Sequence, residues 1–446
     1  MNLYPYQKDA VDFALVHRRT YMMLDLGLGK TAVALKTIEA VRQPALVLCP
    51  VKVGINTWVD EIANWTPQLK YVIFHGPHKD KLLNKKADIY ILPYSSLKWF
   101  YTRCCQHRFK LRKFTTIFDE STFIKSWSTD RWKKYVRRML PIFGQYRMCL
   151  SATPVPNGLV DLWTQYYVLD QGKTFGHYPT TYRDRYFTYT GAPRYQTYIK
   201  PGSEREIYKL IKPITKRLDR NDYLKLPPIT YNKVMLTVPP ALVKVYRKLK
   251  KDSTLEFEDF TTATALNKAG LSSKLRQFAQ GALYLDTGGF KKLHMIKAHA
   301  LKEMVEGLNG KPVLVPIQFR FDYDMICNAF GKELPIIRGG ISEVKARRLI
   351  VAWNKGKIPV LLCHPQSIGH GLNLQRGGHN IIWYALPWAL DHFTQLNGRL
   401  DRTGQVHGVV VSVMCLEVGI DTRVFAVLRQ KNATQRDLLN AIRGVC

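Results

Sequence analysis

The chain is short of acid. It carries 34 Asp and Glu against 67 Lys and Arg, a formal net charge of +33 over 446 residues. An excess of that size repels itself in a folded protein, and a polyanion is its natural compensation, nucleic acid the commonest one. Long apolar runs are also missing. No stretch approaches the roughly 18 residues of a bilayer span, and the opening MNLYPYQKDAV has no secretory pattern, so a membrane span or secretion is not expected. No basic amphipathic helix with a clean apolar face stands out, which argues against membrane-surface binding. The eight cysteines are scattered without a CxxC pair. Cys104, Cys105 and His107 lie close together, yet no second ligand pair follows at zinc spacing, and reduced thiols of a cytoplasmic protein are the expectation. Low-complexity tracts and short repeats are absent, and 46% apolar residues is ordinary for a globular protein.

What is present is an alternation. TYMMLDL, ALVLCP, YVIFHG, DIYILPY, TTIFDE and YRMCLSATP are short apolar runs separated by helical segments, the pattern of a parallel α/β sheet with crossover helices. From about Leu159 to Gly288 the pattern turns helical, with aromatic and basic residues interleaved in TYRDRYFTYTGAPRYQTYIK. A second α/β series follows in PVLVPI, ELPIIRGG, IPVLLCHP, NIIWYALP and GVVVSVMCL. Two amphipathic stretches close the chain, IDTRVFAVLRQKN and TQRDLLNAIRG, the second with Thr434 and Asp437 as a capping box. The fold class expected is α/β, with two parallel-sheet lobes joined by a helical middle. The N-terminal lobe spans residues 1–215 with a helical extension from about 159. Residues 216–446 hold a helical insertion to about 290 and then the second lobe.

YMMLDLGLGKTAVAL carries the first chemistry. Gly27 and Gly29 permit backbone conformations and close approaches that a Cβ blocks, so the amides around Leu28 can turn toward phosphate oxygens. Lys30 reaches the β- and γ-phosphates as a point charge, the Thr31 hydroxyl suits Mg²⁺, and the helix beginning there adds its positive end. Leu24 stands where the general GxxxxGK[ST] pattern has its first glycine. TTIFDEST supplies acid at a strand end, with Asp119 placed to hold Mg²⁺ and Glu120 to orient and deprotonate a water. Ser151 and Thr153 in the next strand end suit a relay between two sites.

From these residues onward the chain resembles the Swi/Snf-like family of superfamily-two helicase-related ATPases, nearly end to end. LYPYQKDAV is similar to the adenine-recognising element, with Gln7 as the base-reading amide. MLDLGLGKT resembles motif I in a form, D-E-M-G-L-G-K-T, that does not need the glycine at Leu24. LVLCPVKVGINTWVDEIANW resembles motif Ia with Trp58, Glu61 and Trp65, DEST motif II, LSATPVPNG motif III, and LPPITYNKVML the junction between lobes. SIGHGLNLQRG resembles motif V and LPWALDHFTQLNGRLDRTGQ motif VI, which places the paired arginines on Arg399 and Arg402 with Gln395 and Gln405 flanking them. VLVPIQFRFD fits motif IV less well, because Pro316 replaces a strand residue ahead of Gln318.

The resemblance implies two RecA-like lobes, ATP and Mg²⁺, and hydrolysis completed by Arg399 and Arg402 when the lobes close. It implies a track along the nucleic-acid backbone at Lys52, Tyr94, Ser95, Arg338, Gly339, Gly340, Gly371 and Asn373. Trp388 has two readings, duplex contact or packing under motif VI. RFKLRK and RWKKYVRR are either part of the footprint or solvated faces. The motor motifs fill the sequence, as in compact phage or bacterial members. A monomeric double-stranded DNA translocase in replication, recombination or repair, located in the cytoplasm of a bacterial or phage-infected cell, is the leading expectation. A strand-separating DNA or RNA helicase and a nucleic-acid scaffold with a dead ATPase are the alternatives.

Overall fold

The computed structural model describes residues 2–106, 113–190, 196–224, 226–257, 259, 261–368 and 373–443. The chain divides into two compact units, Met1–Leu224 with Lys431–Cys446, and Lys225–Gln430.

The first unit is built on β1 (Arg19–Leu24), β2 (Ala45–Cys49), β3 (Tyr71–Ile73), β4 (Ile89–Pro93), β5 (Phe114–Asp119), β6 (Phe143–Leu150) and, after a hairpin of β7 (Phe187–Thr190) and β8 (Gln196–Ile199), β9 (Thr215–Leu218). Seven of these form one parallel sheet in the order β3-β4-β2-β5-β6-β1-β9. The central β2 and β4 are apolar and buried on both faces, as a sheet covered on both sides requires. In β1, Tyr21 and Met23 enter one core and Met22 and Leu24 the other, the period of two that a strand imposes. Helices α1 (Pro5–His17), α2 (Lys30–Val41) and α3 (Trp58–Trp65) contribute Ala10, Val33, Leu35 and Trp58 to the second of these cores.

The second unit repeats the plan. β10 (Thr230–Leu236), β15 (Val313–Pro316), β16 (Ile336–Ile337), β17 (Val360–Cys363), β18 (Asn380–Trp383) and β19 (Val410–Leu416) form a parallel sheet in the order β10-β19-β18-β15-β17-β16. The two short hairpins β11 (Thr254–Glu256) with β12 (Thr262–Thr264), and β13 (Ala282–Tyr284) with β14 (Phe290–Lys292), decorate it. Pro316 remains in β15 because pairing with β18 covers only Val313 and Leu314, so its missing N–H falls where that ladder has ended.

Several expectations are corrected. The division after residue 215 moves to Leu224, since β9 completes the first sheet alongside β1. The two closing helices are one helix, Asp421–Arg443, so Thr434 and Asp437 lie inside it and form no N-terminal box. Neither Gly nor Pro separates the two halves, and nothing in that composition stops a helix. Its last 13 helical residues, from Lys431, belong to the first unit, where Leu438, Leu439 and Ile442 are buried in the core. The aromatic-basic stretch after Leu159 is a helix, Pro179–Tyr186, leading into the β7–β8 hairpin, with Arg183 over the Tyr189 ring. RWKKYVRR turns Trp132 and Val136 inward and Lys133, Lys134, Arg137 and Arg138 outward, an exposed basic face that fits both readings of this run. All of RFKLRK except Lys113 lies outside the described residues, as does His107. No helix is long and apolar enough to cross a membrane among the described residues.

Candidate nucleotide and nucleic-acid sites

The glycine turn of the first unit joins the carboxyl end of β1 to α2. Gly27 and Gly29 sit at φ 89° and 77°, left-handed values that explain both glycines. Gly29 also lies against Gln7: a Cβ there would land inside the van der Waals shell of Gln7 Nε2. Buried Gln7 is already engaged, accepting from Tyr4 N at 2.9 Å and donating to Leu28 O at 3.1 Å. The amide expected to read adenine therefore also braces the phosphate turn, with one N–H and one lone pair left over. Leu24 is buried as the last residue of β1, ahead of the turn, which is why no glycine is needed there.

Lys30 Nζ donates to Leu24 O at 2.9 Å and Asp25 O at 3.2 Å, so it rests on the turn's own carbonyls. Asp25 in turn meets buried Arg217 of β9 as a bidentate pair, at 2.7 and 2.9 Å, and accepts from Arg220 N at 3.0 Å. No local sequence signal links residues so far apart, and this brace of the turn was not legible.

Asp119 ends β5 and is 8% exposed. Burial pushes its carboxyl above the usual range, opposed by a hydrogen bond from Trp58 Nε1 to Oδ2 at 2.8 Å and by the charge of Lys30. Glu120 follows at φ 53°, ψ 60°, a left-handed conformation that costs a side chain about 1–2 kcal/mol. Its Oε1 accepts from Thr122 Oγ1 at 3.2 Å and Ser151 Oγ at 3.3 Å, and Ser151 Oγ accepts from Thr153 N at 3.0 Å. The structure thus joins Ser151 to Glu120, while Thr153 Oγ1 is buried without a partner. Beneath them Ser121, Tyr21 and Gln165 share a buried hydrogen-bonded knot that fixes the turn after Glu120.

Thr31, at the start of α2, and Asp119 offer two hard oxygen donors. That is the sparse set Mg²⁺ takes from a protein when phosphates and waters complete its shell. Among the described residues no group of three or more His, Cys, Asp or Glu is placed to hold a metal by itself.

In the second unit the helix Leu390–Asn397 leads directly to the expected arginines. Arg399 is largely buried, and Arg402 Nη1 donates to Asn373 Oδ1 at 2.6 Å, tying motif VI to motif V. Gln395 is buried with Oε1 unpartnered. Gln405 is a structural knot, donating to Gln375 O and Gly378 O at 3.0 Å each and accepting from Val406 N and His407 N. Trp388 packs against the core, which favours the packing reading.

The expected track residues divide. Ser95, Arg338, Gly339, Gly340 and Asn373 are exposed at strand or motif ends, and Lys52 is half-buried at the start of the helical stretch before α3. Gly371 lies outside the described residues. Tyr94 is a correction: its ring is buried, and its hydroxyl donates to the backbone oxygen of Asp119 at 3.1 Å, so the side chain presents nothing to a track.

The family model of the SNF2-related domain matches residues 6–281, well over half of the chain. This protein belongs to that family. As an SNF2-related chain it is 29% identical to protein p41 of Acyrthosiphon pisum secondary endosymbiont phage 1, covering 98% of each. It is 24% identical to YwqA of Bacillus subtilis, named as a candidate ATP-dependent helicase/translocase, over 98% of this chain and 49% of the relative. It is also 24% identical to the mouse DNA annealing helicase and endonuclease ZRANB3, over 98% of this chain and 41% of that one. The chain therefore spans nearly all of the phage relative and half or less of the other two. Among solved structures it is similar to the Sulfolobus solfataricus SWI2/SNF2 ATPase core in complex with dsDNA, at 21% identity and a TM-score of 0.45, covering 100% of this chain and 94% of that one.

Proposed function

We propose that this SNF2-related chain is an ATP-driven motor that moves along double-stranded DNA. The observation that carries the reading is the assembly at three strand ends of the first unit: the glycine turn with Lys30, buried Asp119, and Glu120 gripped by Ser151.

ATP lies with its phosphates on Gly27–Thr31 and its base near Gln7. Glu120 takes the proton of the attacking water as the new bond to the γ-phosphorus forms and the bond to the β,γ-bridging oxygen breaks. Thr31 and Asp119 would hold Mg²⁺, which when bound would neutralise charge on the phosphate oxygens. Arg399 and Arg402 supply the remaining positive charge from the second unit. Such arginine fingers contribute about 10³–10⁵ in rate, so closure of the two units follows ATP occupancy and opening follows hydrolysis. The net charge of +33 favours a polyanionic track. Lys52, Ser95, Arg338, Gly339, Gly340 and Asn373 contact its backbone. The protein acts as a single chain on DNA in the cytoplasm of a phage-infected or bacterial cell, in replication, recombination or repair.

The test is phosphate release measured side by side with duplex DNA, single-stranded DNA and RNA, together with triplex and short-duplex displacement. Stimulation by duplex and triplex displacement without strand separation supports the motor. Displacement of a short strand assigns a helicase instead, and no phosphate release with any nucleic acid assigns a scaffold.

A further inference from the structure

Two aromatic residues converge on Asp119 from the segments expected to grip the track. β4, β2 and β5 are neighbours in the sheet, so their carboxyl ends lie side by side. Lys52 follows β2 and opens the helical stretch that reaches Trp58; Ser95 follows β4 and adjoins Tyr94; Asp119 ends β5. Trp58 is fully buried and spends its N–H on Asp119 Oδ2 at 2.8 Å. Tyr94 is buried and spends its hydroxyl on Asp119 O at 3.1 Å. A core that needed only volume would be served by Phe at either place; each ring instead carries a donor that buried surroundings require to be satisfied.

The two bonds hold different parts of the acid pair. Trp58 fixes which carboxylate oxygen of Asp119 is turned away, and so orients the other. Tyr94 holds the carbonyl of the peptide linking Asp119 to Glu120, and a rotation of that peptide swings Glu120 out of its left-handed conformation at φ 53°. Tyr94 is itself clamped. Its ring stacks on Phe123 with centroids 5.2 Å apart and planes 9° from parallel, and the Arg131 guanidinium covers both rings while donating to Phe123 O at 2.7 Å.

We propose that Trp58 and Tyr94 are positioning residues that transmit occupancy of the DNA track to the Asp119–Glu120 pair. When a phosphate is gripped at Lys52 or Ser95, the short segments that carry those contacts shift, and the two hydrogen bonds pass the shift to the acids. This wiring rests on the motor reading above, which makes Lys52 and Ser95 track contacts.

The experiment uses the full chain with Trp58→Phe and Tyr94→Phe, each keeping a ring and deleting one donor. Leu97→Val is the control, a buried position three residues beyond Tyr94 whose apolar side chain is neither donor nor acceptor in either bond. Binding of a fluorescent duplex is measured by anisotropy with and without a non-hydrolysable ATP analogue and Mg²⁺. Coupling between two ligand sites is commonly about 5–150-fold; the wild type is expected in that range. Both Phe variants should bind duplex alone within about twofold of wild type and lose the coupling to less than about threefold, while Leu97→Val keeps it. Duplex stimulation of ATP turnover should fall in parallel. Wild-type coupling that persists in both Phe variants, or that Leu97→Val abolishes equally, overturns the wiring and leaves the motor standing. A wild type with neither coupling nor duplex-stimulated hydrolysis overturns both.

Discussion

Replacing Gly29 by alanine tests how the phosphate turn is built. The new Cβ meets two costs. At φ 77° it sits in the left-handed region, at about 1–2 kcal/mol. It also occupies the space of Gln7 Nε2, so that side chain must leave. Leaving forfeits the bonds to Leu28 O and from Tyr4 N, each contributing about 0.5–1.5 kcal/mol. The sum for Gly29→Ala is therefore roughly 2–5 kcal/mol. Gln7→Ala alone forfeits only the two bonds, roughly 1–3 kcal/mol. In the double variant the clash has no partner, and the cost returns to backbone strain plus the two bonds, again roughly 2–5 kcal/mol. The two substitutions should thus fall short of additivity by about 1–3 kcal/mol. A chain of two units need not unfold in one step, so the readout should be local. Amide exchange across α1 and the Gly27–Thr31 turn, followed by mass spectrometry, reports the opening free energy of this segment. Gly29→Ala should speed exchange there by between about 30-fold and a few thousand-fold, at tenfold per 1.4 kcal/mol. Additive costs, or wild-type exchange in Gly29→Ala, would refute the account of the turn.

Other expectations concern chemistry and pH. Lys30→Ala should abolish ATP turnover, whereas Glu120→Gln should bind a fluorescent ATP analogue and fail to release phosphate; turnover at the wild-type rate in the Gln variant removes Glu120 as the base. Arg402→Lys keeps the charge but not the planar fork that meets Asn373, and steady-state kinetics should show turnover lowered by at least about tenfold with little change in analogue affinity. In the second unit two buried groups pull stability in opposite directions. Burial raises the Asp322 carboxyl to about 7, so the folded state holds a proton the unfolded chain has released. That contribution is whole below the unfolded value near 3.8 and is lost as pH rises through 7. Burial lowers His294 to about 4, so its contribution is whole above the unfolded value near 6.5 and is lost as pH falls through 4. Denaturant midpoints of the second unit between pH 4.5 and 6.5 should rise with pH in Asp322→Asn and fall with pH in His294→Gln, and like slopes in the two would exclude the pairing.

The sheets were legible because parallel strands covered on both faces read as unbroken apolar runs, as ALVLC and VLLC do, and their ends locate the ligand-bearing turns. Gly27, Gly29 and Lys30 were legible for the same reason, since strand, turn and helix are contiguous. What failed to show was long-range. Arg217 reaches Asp25 across most of the first unit, and only the sheet order with β9 beside β1 brings them together. Tyr94 in LPYSS reads equally as an exposed contact or a buried brace, because a single aromatic at a strand end carries no periodicity. Glu120 gives no hint of its left-handed backbone, which the knot of Ser121, Tyr21 and Gln165 imposes from residues far apart in the chain. The final helix reads as two because Thr434 with Asp437 has the pattern of a cap, although no residue there ends a helix.

The return of the chain to the first unit at Lys431 governs how the protein can be dissected. The second unit is an insert, tethered at both of its ends, and a fragment stopped at Leu224 would leave open the socket that Leu438, Leu439 and Ile442 fill. An isolated ATP-binding piece should therefore be made by joining residue 224 through a short flexible linker to a segment beginning near 431, and the pulling force of a working motor would be borne by two covalent crossings instead of one.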